Sequence, residues 1–221
     1  MSKHQFVVLG LGSFGETVAV ELARLGNDVL GVDQDERKVD DLANAITHAA
    51  VADVTDEKAL RELDVGNYDA AVVAIGENIE ASILATLHLK SIGIKEIWVK
   101  AFSNQHHRIL AKIGATRIIH PEHEMGLRVA QILNYPVIDN YMDVGDNEYI
   151  VEIIASEKLN NRQISELIAE ADASVTVLLV RRGHHNHHLP KIAPETMMIS
   201  TRDRIVLLGQ RAELKKVARY L

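Results

Sequence analysis

Residues 7–16 read VVLGLGSFGE: an apolar run, glycines at positions 10, 12 and 15, and the first residues of a helical pattern. A strand that runs into a glycine-rich turn and then a helix is the phosphate-cradling loop of a βαβ unit, provided a second strand follows at the right distance. Here Asp28–Val32 reads as that strand, and Asp33 closes it. Gly10 permits the tight turn, Gly12 lets the backbone approach a phosphate, and Gly15 allows the helix to pack close to the strand. Beyond Ser13, the helix starting near Phe14 offers unpaired N–H groups and the positive end of its dipole to an anion. A carboxylate at Asp33 accepts hydrogen bonds from the hydroxyls of an adenosine ribose and repels a 2′-phosphate, which disfavours NADP. NAD, ATP, ADP and AMP all carry that ribose, so the loop and Asp33 together do not choose among them.

The pattern continues outward from the loop. Phe6–Leu9, Asp28–Val32, His48–Val51, Asp69–Ile75, Ile97–Ala101 and Arg117–Ile119 are short apolar runs bounded by Gly, Asp or Asn. Phe14–Leu25, Glu36–Ala45, Glu57–Leu63, Ile79–Ile92 and Gln105–Ile113, between them, have apolar residues at helical spacing. Near-continuous apolar strands separated by helices predict an α/β fold, a Rossmann-type doubly wound parallel sheet covered on both faces. A further helix is predicted over Met125–Leu133. Strands at Tyr149–Ser156, Ser174–Arg181 and Arg204–Leu208, with helices at Ile164–Ala171 and Arg211–Tyr220, predict a smaller C-terminal α/β domain. The expected division is a nucleotide-binding domain over 1–133, a linker over 134–146 and a second domain over 147–221.

Composition narrows the functional class. The chain has 221 residues, a formal charge of −7 and no cysteine, so disulfide and cysteine-based zinc frameworks are excluded. Scattered Lys and Arg on an acidic chain argue against nucleic-acid binding. No apolar run approaches the roughly 18 residues of a spanning helix. The first residues lack the pattern of an export signal, so a cytoplasmic protein is expected.

Other candidates lie at the strand ends, where ligands sit in such sheets. Ala74, Ile75 and Gly76 close the fourth strand and bring backbone near a nucleotide. Asp53 follows the third strand and either meets an adenine amino group or caps the next helix, for which Thr55 and Asp56 are also suited. Lys100 suits a phosphate or a structural ion pair. Glu122 suits a cation bridging phosphates or a helix dipole. His106, His107 and His120 are the imidazoles available for acid–base chemistry. The tract His184–His188 reads as a hairpin tip with metal-binding side chains. No catalytic triad, Walker lysine loop or H-E-x-x-H helix is present.

Several stretches carry a resemblance. VVLGLGSFGETVAVELARLGNDVLGVDQDERKV, ADVTDEKALRELDV, DAAVVAIGENIEASILATLHLK and IWVKAFSNQHHRILAKIGATRIIHPEHEMG together resemble the RCK/KTN family of potassium-channel and transporter regulators, in particular its KtrA/TrkA type. AIGEN and the GA-x-R-I-I-H-P-E pattern are its more specific parts. The resemblance implies a bound ATP or ADP, or NAD/NADH as in some relatives, that regulates without reacting. It places Phe14, Asp33, Lys38, Asp53, Ile75, Gly76, Lys100 and His106 around the nucleotide, and makes Glu122 the ligand of Mg²⁺ or another cation. It further implies homodimers through the segment after Glu122, an octameric ring, and a KtrB/TrkH-type membrane potassium-translocating partner. Ser13 departs from the pattern, since close relatives often carry Arg there. Ala52 replaces a usual Gly, and Thr201-Arg202-Asp203-Arg204 replaces a Gly-Asp turn. Outside the family, the fold also suits a small NAD-dependent oxidoreductase or a sensor of the NADH/NAD ratio.

Overall fold

The computed structural model describes residues 3–134, 138–170, 174–182 and 196–218; the His184–His188 tract lies outside them. The chain divides into two compact units, one ending at Pro121 and the other beginning at Glu122.

In the first unit, strands β1 (Gln5–Leu9), β2 (Asp28–Asp33), β3 (His48–Val51), β4 (Ala70–Val73), β5 (Glu96–Lys100) and β6 (Arg117–Ile119) form one sheet in the order β3-β2-β1-β4-β5-β6. Every pairing is parallel. The consecutive residues Val7, Val8 and Leu9 are all fully buried, which requires cover on both faces of the sheet. Helices α1 (Ser13–Arg24), α2 (Glu36–Leu42), α3 (Glu57–Glu62), α4 (Ile79–Ile92) and α5 (Asn104–Ile113) supply it. Val7 and Leu9 pack with Leu60, Ala85, Leu89 and Leu110 from α3, α4 and α5. Val8 packs with Ala19, Val39 and Leu42 from α1 and α2. Alternate residues of one strand thus build two separate cores.

The strand order reverses between β2 and β4, on either side of β1. Two connections of the chain leave the sheet there in opposite directions, and a crevice opens at the carboxyl ends of β1 and β4.

The second unit opens with α6 (Pro121–Asn134). Strands β7 (Ile138–Gly145), β8 (Glu148–Ile154), β9 (Val175–Arg181) and β10 (Arg204–Gln210) follow, with helices α7 (Ile164–Glu170) and α8 (Arg211–Ala218). The sheet is antiparallel, in the order β7-β8-β10-β9. Val151, Ile153, Val177, Ile205 and Leu207 from one face of it pack with Ile164, Leu167, Leu214 and Val217 of α7 and α8.

The expected linker over 134–146 is corrected here, because residues 138–145 form β7. The hairpin signal is Asp146-Asn147, both at positive φ (51° and 62°), between the paired residues Gly145 and Glu148. Two consecutive left-handed residues make the tight turn whose twist matches antiparallel strands. The expected division at 133 also differs, since α6 groups with the second unit. At the replaced Gly-Asp turn, Arg202 takes the left-handed φ of 68° that favours glycine. Buried Asp203 closes the turn, its Oδ2 accepting the Ser200 N–H at 2.8 Å.

Leu9 lies at the centre of the first sheet and Leu207 in the core of the second unit, both essentially without solvent contact. Leu9→Ala and Leu207→Ala are each expected to cost about 2–5 kcal/mol, read as a lower denaturant midpoint.

Candidate functional site

A cavity of about 320 Å³ opens at the carboxyl ends of β1, β2, β3 and β4. Eight of the predicted site residues line it: Gly10, Gly12, Asp33, Lys38, Asp53, Ala74, Ile75 and Gly76. Gln34, Ala52, Val54, Thr55, Asn78 and Ala81 complete the lining. Three of these six, Gln34, Ala52 and Val54, neighbour a predicted residue in sequence. Asn78 had its own signal, an Asn standing before the helical pattern of α4, where it caps the helix by accepting the Ala81 N–H at 3.0 Å.

The three loop glycines have three different physical reasons. Gly10 sits at φ +94°, and a Cβ there would meet the backbone of Ala74 at 3.2 Å. A Cβ on Gly15 would stand 1.9 Å from the Gly10 carbonyl oxygen, so that position carries the packing of α1 on the loop. Gly12 has an ordinary φ of −71°, and a Cβ built there meets nothing within 4 Å. Neither backbone strain nor internal packing asks for glycine at 12; the space in front of it belongs to the cavity.

The helix ends point the same way. Side chains of Asp35, Asp56, Asn78 and Ser103 cap α2, α3, α4 and α5, whereas α1 begins at Gly12 with no side-chain cap. Its first N–H groups are left for a partner outside the helix. Two N-termini, those of α1 at Gly12 and of α4 at Asn78 and Ala81, therefore border one cavity, and both favour an anion.

Asp33, at the end of β2, is buried. Its Oδ2 accepts the Leu11 N–H at 2.7 Å and lies 3.4 Å from Lys38 Nζ, while Oδ1 accepts the Asp35 N–H at 2.9 Å. Burial by itself raises the carboxyl's pKa. The hydrogen bonds from Asp35 and Leu11, with the Lys38 charge, outweigh it and hold the group below the usual carboxylate value. A carboxylate has about four acceptor positions. One on Oδ1 is left for a hydroxyl, and the long, half-exposed Lys38 contact yields a second when it swings away.

Asp53 does not cap α3; Asp56 does. Its Oδ1 accepts both the N–H (2.9 Å) and the Oγ1 hydroxyl (2.7 Å) of Thr55, and those hydrogen bonds hold its pKa below the usual carboxylate value.

The remaining predicted residues stand off the cavity lining. Ser13 is the exposed first residue of α1. Phe14 packs against the core under α1, and the Lys100 ammonium lies 5.9 Å from its ring centre. Lys100 Nζ is also 3.5 Å from where a Gly76 Cβ would stand, so Phe14, Gly76 and Lys100 converge. His106 is buried, its Nδ1 accepting the Phe102 N–H at 3.2 Å. Burial, with the neighbouring His120, pushes its pKa down and keeps the ring neutral. His107 Nδ1 and His120 Nε2 are 2.9 Å apart in rings only 11° from parallel. Glu122 is exposed in the first turn of α6 and belongs to the second unit. No group of three or more His, Cys, Asp or Glu suited to a metal occurs among the described residues.

A family model for the TrkA-N domain matches residues 6–121. Over 212 residues the chain is 43% identical to Ktr system potassium uptake protein A of Bacillus subtilis, covering 96% of this chain and 94% of that one. The chain belongs to the TrkA-N family. Its fold matches that of a GsuK channel bound to NAD with a TM-score of 0.63 at 15% identity, over 98% of this chain and 39% of that one. A GsuK bound to ADP matches at 0.52 and 18% identity, over 60% of this chain and 34% of that one. The chain thus spans less than half the length of these solved structures.

The glycine analysis separates two substitutions. Gly15→Ala is expected to destabilise by about 1–3 kcal/mol through overpacking, while Gly12→Ala stays within about 0.5 kcal/mol of the parent, both measured by urea unfolding. Asp33 adds a pH signature. Its folded pKa is depressed, so its contribution is present above the unfolded carboxylate range and fades as pH falls through the folded value. Asp33→Asn should therefore cost stability at neutral pH, and the gap to the parent should close in acid.

Proposed function

We propose that this chain is a cytosolic, non-enzymatic regulatory subunit. On this reading it binds an adenine nucleotide in the cavity of its first unit and uses that binding to gate a membrane potassium-translocating subunit of the KtrB/TrkH type. The observation that carries the reading is Gly12, a glycine required by neither conformation nor packing. It sits at the uncapped start of α1 and faces a cavity that also holds the buried Asp33 carboxylate, bonded to the neighbouring Leu11 N–H. A pyrophosphate against α1 and a ribose against Asp33 use what the cavity offers.

ATP and ADP are the proposed ligands, with NAD or NADH retained because both share the adenosine. Lys100 and Phe14 bound the phosphate side. Ser13 brings no charge to a terminal phosphate, which favours ADP over ATP relative to chains with Arg there. Support for regulation over hydride transfer comes from the lining: its ionisable side chains are Asp33, Lys38 and Asp53, each already bonded within the wall, and no imidazole is among them. Glu122 enters as the proposed ligand of Mg²⁺ or another cation on the resemblance alone, a carboxylate oxygen being suited to a hard cation.

Among the described residues no helix is long and apolar enough to cross a membrane, so action on a channel requires a membrane partner. Exposed Met125, Val129 and Leu133 recur every four residues along α6, an apolar stripe that supports the proposed homodimer and, through it, an octameric ring. The nucleotide works by population shift. A roughly 100-fold preference for one ring conformation amounts to about 2.7 kcal/mol per site, and the preferences of several sites add.

Thermal unfolding with ADP, ATP and NADH tests the reading. ADP at about 100 times its dissociation constant should stabilise the parent by about 2.7 kcal/mol, and Asp33→Ala should lose the effect. Undiminished stabilisation of Asp33→Ala would show that the nucleotide sits elsewhere. Glu122→Gln should keep ADP binding and lose its Mg²⁺ dependence.

A further inference from the structure

His88, on the face of α4 turned toward α3, uses both ring nitrogens on groups that can only accept. Nε2 lies 3.0 Å from the Thr55 carbonyl oxygen, so it carries a hydrogen and donates. Nδ1 lies 3.3 Å from Glu57 Oε2. Glu57 also accepts from Arg61 (2.6 and 3.0 Å) and from the Ser91 hydroxyl (3.1 Å). The Arg61 and Ser91 bonds, with the His88 charge adding, hold its carboxyl below the usual range, so at neutral pH it has no proton to offer Nδ1. A neutral imidazole has one N–H and one lone pair. With the hydrogen on Nε2 the lone pair faces the carboxylate; with it on Nδ1 the lone pair faces the carbonyl. Only the imidazolium satisfies both.

The contact reaches the cavity. Thr55 lines it, as does Asp53, whose Oδ1 clasps the Thr55 N–H and hydroxyl. The wall residue is thus held on one side by Asp53 and on the other by His88, which is only one-fifth exposed. The charged groups facing this ring are Glu57 and, behind it, Arg61 from α3. In the loop before α3, Asp53 is engaged by Thr55, and Asp56 is engaged by the Lys58 N–H. On α4 itself the polar neighbour is Ser91.

We propose that His88 is a pH-sensitive positioning residue for this cavity: as an imidazolium it ties the Thr55 wall to Glu57, and adenine-nucleotide affinity falls when it loses its proton. The proposal rests on the nucleotide reading given above. The sign follows from the contacts. The protonated ring donates to both acceptors, whereas the neutral ring has one N–H and donates to only one of them, so the strut is complete in the charged form and broken in the neutral one. Glu57 and His88 touch no ligand in this scheme; they act through Thr55.

Two measurements on the intact chain test it. In the ligand-free protein, NMR follows the His88 ring, assigned by difference with His88→Gln, together with hydrogen exchange at residues 53–56. The ring titration and the loss of protection at 53–56 should coincide. ADP titration calorimetry from about pH 5.5 to about pH 8.5, the span where histidines change charge, should show affinity weakening about fivefold toward high pH, the size of one lost hydrogen bond. His88→Gln should bind at the weakened level throughout. Glu57→Gln should bind tightly throughout, because its amide donates to Nδ1 and a neutral ring then satisfies both partners. A profile shared by the parent and His88→Gln, or a ring titration with no change at 53–56, would overturn the proposal. Absence of ADP and NADH binding at every pH would instead overturn the nucleotide reading beneath it.

Discussion

The first unit depends on one hydrogen bond, from the Leu11 N–H to Asp33 Oδ2 at 2.7 Å. It ties the loop that leaves β1 to the end of β2, its neighbour in the sheet. Gly10 turns the chain at positive φ, and its own N–H donates to the Val32 carbonyl at 2.8 Å. Leu11, itself buried, is then held by the carboxylate, and α1 starts two residues later with its N-terminus fixed over the sheet. A buried carboxylate is expensive unless hydrogen-bonded. Asp33 is, by two backbone N–H groups and one ammonium. The groups that make its burial tolerable are the loop it organises, so the loop and the charge stabilise each other.

The same arrangement leaves two kinds of bonding capacity unspent at one cavity: N–H groups at the start of α1 and an acceptor position on Asp33. In the other helices of the unit that capacity is consumed by Asp35, Asp56, Asn78 and Ser103. Cap residues are worth about 1 kcal/mol each. A chain that caps four helices with side chains and begins the fifth at a bare glycine gives up a comparable amount there. The loss is offset when an external anion takes the cap's place, and stability then becomes coupled to ligand concentration. That coupling is what a regulatory subunit needs.

Much of this was legible in the sequence because its signals are local and periodic. The uninterrupted Val7-Val8-Leu9 run, the spacing of Gly10, Gly12 and Gly15, and Asp33 after the second apolar run identify the sheet and its switch point without any tertiary information. The second unit was less legible. Strand β7 contains Asp139, Asn140 and Asp143, residue types depleted from strands, and its place is set by pairing with β8 across the Asp146-Asn147 turn. The cavity shows the same divide. Residues that end strands or sit in the glycine loop were readable, whereas Gln34, Val54, Thr55 and Ala81 line it only because four strand ends and two helix starts converge. Sequence spacing carries no record of that convergence. The motif had already separated Gly12, for close approach of a phosphate, from Gly15, for helix packing, and the space in front of each gives that separation its physical basis.

Signal transmission requires that the cavity be attached to something bistable, because a ligand shifts an equilibrium only through unequal affinity for its two states. The wall at Thr55 meets this condition better than the Asp33 side. Asp33 is anchored by backbone at both oxygens and ends β2, an interior strand paired on both sides, with little freedom to differ between conformations. Thr55 lies in a loop whose carbonyl is held through a side chain, His88, on a helix with its own core contacts. A change at Thr55 is therefore felt at α4, and through the shared Glu57 at α3, without disturbing the parallel sheet. In the proposed scheme the backbone-anchored side of the cavity supplies affinity, and the side-chain-held wall supplies the route by which occupancy is read out.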